Sequence, residues 1–212
     1  MIAALIAREM RRGFGGAAWL PMIFFLLVAA IVPFAVGPVA RLLARIGGGA
    51  LWIAALTAEL LPIERLIEPD RADGMLDQLA LSGISEEGIA SAKIVGHWLT
   101  FGPLLLLAAV PGSVLVGLDG AALIRALATL AIGTPALAAL AVAVAALTAG
   151  LPRAGSIAGL LLMPLAVPLV IFGAAATGAG QDGALKLEAA VALLTLVGAP
   201  FVTAAAIRAA RT

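Results

Sequence analysis

The chain has 212 residues, a mass of 21.1 kDa and a net charge of +1. Hydrophobic residues make up 63% of it and charged residues only 12%, with no cysteine and one histidine. This excludes a water-soluble fold, which would lack the polar surface to cover itself, and it excludes disulfides, thiolate zinc, iron–sulfur clusters, covalent haem attachment and multi-histidine metal centres within one chain.

Residues 1–14 open the chain with their own pattern. Ile2, Leu5, Ile6, Met10 and Phe14 recur at helical spacing, while Arg8, Glu9, Arg11 and Arg12 fall between them. Two readings fit: an amphipathic helix lying in the membrane interface, or a basic anchor for the first span. The uncharged stretch that follows covers residues 13–40. That is much longer than the roughly 7–15 residues of a signal-peptide core, so it reads as an uncleaved first helix.

Further uncharged runs cover 94–118, 126–152, 154–181 and 189–207, and a run over 46–63 is broken only by Glu59. A spanning helix needs about 20 apolar residues. The runs therefore predict an all-α membrane protein of six transmembrane helices, forming one domain over residues 1–212. A barrel would show short alternating segments instead. Six spans put both termini on one side. That side carries Arg8, Arg11, Arg12, Arg65, Arg71, Lys93, Arg153, Arg208 and Arg211. The other carries Arg41, Arg45, Arg125 and Lys186. The imbalance favours both termini in the cytoplasm.

The one long polar connection covers residues 64–93. Glu64, Glu68, Asp70, Asp73, Asp77, Glu86 and Glu87 face only Arg65, Arg71 and Lys93, which gives a local charge of −4. Within it, Asp73-Gly74-Met75-Leu76-Asp77-Gln78-Leu79-Ala80-Leu81 reads as a short helix capped by Asp73. Met75, Leu76 and Leu79 share one face, and Asp77 and Gln78 point away. Ser82-Gly83 ends it, and Ser85-Glu86-Glu87 starts the next helix with acids at its positive pole. The apolar face could rest on the membrane or on its own bundle. Its acidic charge suits a protein partner better than anionic lipid, which makes it a candidate coupling helix for a cytoplasmic motor. The motor is not in this chain, because no phosphate-loop motif is present.

The later spans are interrupted. Pro103 and Pro111, Gly133-Thr134-Pro135, Pro164 and Pro168, and Gly198-Ala199-Pro200 fall inside apolar runs and predict kinks. Gly155 and Gly159 form a small-xxx-small face. Residues 173–183 are glycine-rich and read either as a re-entrant element or as a surface turn.

Taken as a set, several of these pieces resemble a known family. They are Asp73-Gly74-x-Leu76-x-Gln78-Leu79 with Ala92-Lys93-x-x-x-His97-Trp98, Leu43-Ala44-Arg45-Ile46, Trp52-x-Ala54-Ala55-Leu56 and Glu64-Arg65-Leu66. Gly102-Pro103-Leu104-Leu105, Gly133-Thr134-Pro135, Leu162-x-Pro164-Leu165-x-x-Pro168-Leu169 and Pro200-Phe201-x-Thr203-Ala204-Ala205-Ala206-x-Arg208 follow in order. The set resembles CcmB, haem exporter protein B of cytochrome c maturation, over essentially the whole chain. Glu59 and Pro62 depart from that pattern.

The resemblance implies an ABC-2-type exporter permease without enzymatic activity of its own. It implies a homodimer that pairs with CcmA-like ATPase subunits and CcmC- and CcmD-like membrane subunits. The complex would serve a CcmE-like periplasmic haem chaperone. ATP hydrolysis would drive haem transfer or release of the loaded chaperone. No nucleic-acid partner is expected, and the partner surface otherwise is the lipid bilayer. No cofactor is expected to reside in this chain, with haem as the transported ligand.

Two residues stand out as candidates. His97 is the one conventional haem ligand, or else an interfacial packing histidine beside Trp98. Glu59 is an intramembrane acid, a functional candidate by default, or else it pairs with Arg65 or another helix end. Arg41 and Arg45 could attract propionates or a periplasmic partner, or serve as solvated anchors. Other function classes fit less well. A generic exporter permease for a lipid or small molecule would share the architecture. An intramembrane enzyme would need polar residues clustered at one depth, and a secondary transporter would need repeats and midplane charges.

Overall fold

The computed structural model describes residues 1–15, 18–37 and 39–210. Among these the chain is helical, without a strand. Helix α1 spans Ile2–Phe14, α2 Trp19–Val36 and α3 Ala40–Glu59. A 3₁₀ turn at Ile63–Arg65 leads to two short helices, α4 (Glu68–Ala72) and α5 (Met75–Leu81). Four long helices complete the chain: α6 (Glu86–Leu115), α7 (Gly120–Thr148), α8 (Ala154–Ala176) and α9 (Asp182–Ala210).

Helices α2, α3, α6, α7, α8 and α9 are each long and apolar enough to cross a membrane. The six expected spans are therefore present, and their even number returns both ends of the chain to one side, called here the terminal side. Most helices overrun the uncharged runs, because charged residues at helix ends stay helical. Helix α3 begins before Arg41 and Arg45, and α9 begins at Asp182, before Lys186 and Glu188. Pro62 does not kink a span: α3 has already ended at Glu59, and Pro62 introduces the 3₁₀ turn. Pro103, Pro111, Pro135, Pro164, Pro168 and Pro200 all lie inside continuous helices. Arg211, one of the basic residues of the topology argument, lies outside the described residues, as do Gly16, Ala17 and Pro38 of the first uncharged run.

Helix α7 occupies the centre and packs against α9, α8, α6 and α3. Its alanines from Ala136 to Ala146 are all buried. Small side chains allow helices to approach closely in lipid, where no hydrophobic force draws them together. The largest side chain in this core, Trp52 of α3, is fully buried against two glycines. A Cβ on Gly133 of α7 or Gly173 of α8 would collide with its indole. The Gly155–Gly159 face has a different neighbour: Gly155 makes room for Glu64, and Gly159 lies beside Leu60. Of the glycine-rich segment, residues 173–176 finish α8 and only 177–181 form the turn before α9. The segment is thus a surface turn and not a re-entrant element.

Helix α1 lies along α6. Glycine makes this contact possible twice: a Cβ on Gly96 would strike Glu9, and one on Gly13 would press Thr100. Leu5 is buried against the bundle, whereas Ile2 and Phe14 stay exposed. An amphipathic helix that uses part of its apolar face for the protein and part for lipid produces this pattern.

Candidate functional site

The polar residues of the terminal side converge on Asp70. Its side chain is only 2% exposed. Arg8 donates to it at 2.8 Å, Lys93 at 2.5 Å, and Arg12 also pairs with it. Lys93, equally buried, further donates to the Leu66 carbonyl at 3.0 Å and approaches Glu9 at 3.5 Å. Burial works against the charged form of Arg8, but Asp70 and Glu9 outweigh it and hold its guanidinium above the ordinary value. One carboxylate thus ties α1, α4 and α6 together. A buried ion is tolerable only when its charge and lone pairs are met, and here three cations meet it.

Next to this hub lies a second buried pair. His97 Nε2 of α6 is 2.6 Å from Glu59 Oε1 of α3. Glu59 is fully buried, and its Oε2 has no partner among the described residues. The His97 ring stacks on Phe101 at 5.8 Å between centroids. The two residues singled out separately in the sequence are therefore one hydrogen-bonded dyad. Glu59 does not pair with Arg65, as the sequence allowed. With its Nε2 occupied, His97 does not offer that nitrogen to a haem iron.

Between α1, the start of α2, the linker after α3 and α6 there is a cavity of about 300 Å³. Arg12, Arg65, Lys93 and Glu9 supply its charges, and His97 and Thr100 its other polar groups. Pro21, Pro62, Pro69, Phe101 and Val142 give it apolar walls.

The predicted coupling helix is α5, with two corrections. Asp73 does not cap it; Asp73 closes α4, and Gly74 precedes α5 with a φ of +68°. A left-handed residue lets the chain reverse between the two short helices, and glycine takes that conformation without strain. Leu76 is buried in the bundle with Leu5, Ile67 and Ile89, and Met75 and Leu79 are half-buried. Much of the apolar face is thus spent on this chain's own core. The outward surface consists of Asp73, Asp77, Gln78 and Leu81, the last 86% exposed. The helix beyond begins as expected: Ser85 Oγ accepts from the Gly88 amide at 3.2 Å.

The remaining motif residues act in packing. Trp98 donates to Thr134 Oγ1 at 3.2 Å and joins α6 to α7, while Gly133 seats Trp52. Trp52 donates to Thr129 at 3.2 Å. Pro135, Pro164 and Pro168 lie inside α7 and α8. On the opposite side, Arg125 donates to the Thr177 carbonyl at 2.8 Å, and Arg41 and Arg45 are exposed.

One buried acid escaped the sequence reading. Glu188 of α9 is fully buried beside Trp52 and Gly133, and both its oxygens lack partners among the described residues. It stands immediately before the uncharged run 189–207, just outside the span as composition draws it. The available signal was position: it lies nearly two turns into the helix that Asp182 begins.

The chain has clear relatives. The CcmB protein family matches residues 1–210. Heme exporter protein B of Rhodobacter capsulatus is 43% identical over 213 residues, which cover 97% of each chain. The protein of the same name from Paracoccus denitrificans is 43% identical over 212 residues, again 97% of each chain. That of Escherichia coli K12 is 39% identical over 193 residues, 89% of this chain and 88% of its own.

Proposed function

The chain belongs to the CcmB family, and we propose that it is the permease subunit of a haem-exporting ATP-binding-cassette complex. In this reading a separate, CcmA-like subunit hydrolyses ATP, and two copies of this chain form the membrane part of the complex. CcmC- and CcmD-like subunits join it, and a CcmE-like chaperone receives the haem on the periplasmic face. The terminal side is cytoplasmic. ATP hydrolysis drives haem transfer or release of the loaded chaperone.

The observation that carries the coupling role is the setting of α5. Leu76 anchors it in the bundle, so a push on its outer face is passed to α6 and α1 through a packed core. The same helix turns Asp77, Gln78 and Leu81 outward. A short rigid helix with one exposed leucine and a polar rim suits a groove on a motor domain. Haem ligation falls to the partners in this reading, which the engagement of Nε2 of the one histidine with Glu59 supports.

The test is co-purification. Gln78→Lys with Leu81→Asp changes only exposed positions of α5. It is expected to remove the ATPase subunit from complexes isolated from membranes, while the chain still inserts. Unchanged recovery of the ATPase would refute the assignment of α5.

A further inference from the structure

We propose that the cavity beside the Asp70 hub is a binding site for the headgroup of an anionic phospholipid. The inference does not depend on the exporter reading.

Three observations carry it. The first is charge. Arg12, Arg65 and Lys93 line the cavity against the single carboxylate Glu9. Arg12 and Lys93 are already engaged with Asp70. Arg65 has no ion-pair partner among the described residues, so its charge is uncompensated beside the opening. Placing an anion there completes a set of cations that the protein leaves in excess. The second is depth. One wall is α1, the amphipathic helix that leaves Ile2 and Phe14 exposed, as a helix lying in the membrane interface does. The headgroup layer is therefore the phase next to the cavity. The third is a mixed lining. The charged groups and Thr100 share the cavity with Pro21, Pro62, Pro69, Phe101 and Val142. A phosphate with the first carbons of its acyl chains meets both kinds of wall; a free inorganic anion would leave the apolar residues without contact.

The volume of about 300 Å³ lies at the lower end of the range for small-molecule sites, which suits a headgroup better than a macrocycle. His97 also lines the cavity, and its Nε2 is held by Glu59. Basic pockets between spans on the cytoplasmic side are a known way of holding acidic headgroups.

The experiment uses the full chain in nanodiscs of phosphatidylcholine mixed with phosphatidylglycerol, released and weighed by native mass spectrometry. Phosphatidylglycerol is expected to remain bound preferentially, by about five-fold or more over phosphatidylcholine. Arg65→Ala should reduce that preference about five-fold, the usual effect of one basic residue near an anionic surface, and Arg65→Lys should keep most of it. Arg11→Ala, an exposed arginine of α1 outside the cavity, should leave it unchanged. Equal retention of the two lipids, or equal losses from Arg65→Ala and Arg11→Ala, would overturn the proposal. Displacement of the retained lipid by one equivalent of haemin would also overturn it and would give the cavity to the cargo.

Discussion

Asp70→Asn removes the charge on which α1, α4 and α6 converge while keeping the shape of the side chain. The carboxylate is 2% exposed, and so is Lys93, its partner at 2.5 Å. Removing one member of a buried pair typically costs about 3–5 kcal/mol, because the other charge stays buried without compensation. Lys93 keeps Glu9 at 3.5 Å and the Leu66 carbonyl at 3.0 Å. Arg8 and Arg12 are 27% and 41% exposed and can turn towards water. The expected loss is therefore near the lower limit, about 3 kcal/mol. It is read from unfolding in mixed micelles titrated with dodecyl sulfate and followed by tryptophan fluorescence. Asp70→Asn with Lys93→Met removes both buried charges and should recover about 2 kcal/mol of the loss, a coupling expected of contacting residues. A loss below about 1 kcal/mol for Asp70→Asn, the range of an exposed pair, would refute the hub. Strict additivity in the double variant would refute the pairing with Lys93.

Two further substitutions probe the core by the same assay. His97→Leu leaves Glu59 fully buried and unpaired, and it should cost about 3 kcal/mol. Glu59→Leu with His97→Leu should recover most of that, and equal losses in the two variants would dismiss the dyad. Gly133→Val drives a side chain into the indole of Trp52, which Thr129 holds in place. Overpacking of this kind costs about 1–3 kcal/mol. Trp52→Phe in the same chain should relieve part of it, and no relief would place the clash elsewhere.

The spans were legible in the sequence because hydropathy integrates over about 20 residues and tolerates local error. Helix α1 was legible for a related reason: its apolar residues follow the helical period and its charges fall between them. What could not be read was pairing between distant segments. Glu59 and His97 are 38 positions apart, and Asp70 lies 62 from Arg8. Nothing in a local window says that α3 and α6 lie side by side at that depth. The topology count treated Lys93 as a surface charge on the basic side. The structure keeps the side but buries the ammonium in an ion-pair hub. Glu188 was missed for the converse reason. A charge near the end of an apolar run marks the run's limit by composition, yet the helix begins six residues earlier and carries it inward.

The same pairing changes what a partner would meet at the terminal side. By composition, residues 64–93 carry a charge of −4, which suggests a broadly acidic face. In the folded chain Asp70 is buried among three cations. Glu68 holds Arg71 and the Gly150 amide, and Glu87 holds Arg208. These acids are consumed in fastening the linker to α1, to the α7–α8 turn and to the end of α9. Asp73 and Glu64 stay exposed. The surface on offer is therefore smaller and less charged than the sequence implies, and Leu81 is its most prominent apolar feature. Docking there would depend on shape and one buried leucine more than on long-range attraction. Its affinity should then vary little with salt, because screening weakens exposed charge pairs and leaves apolar burial intact.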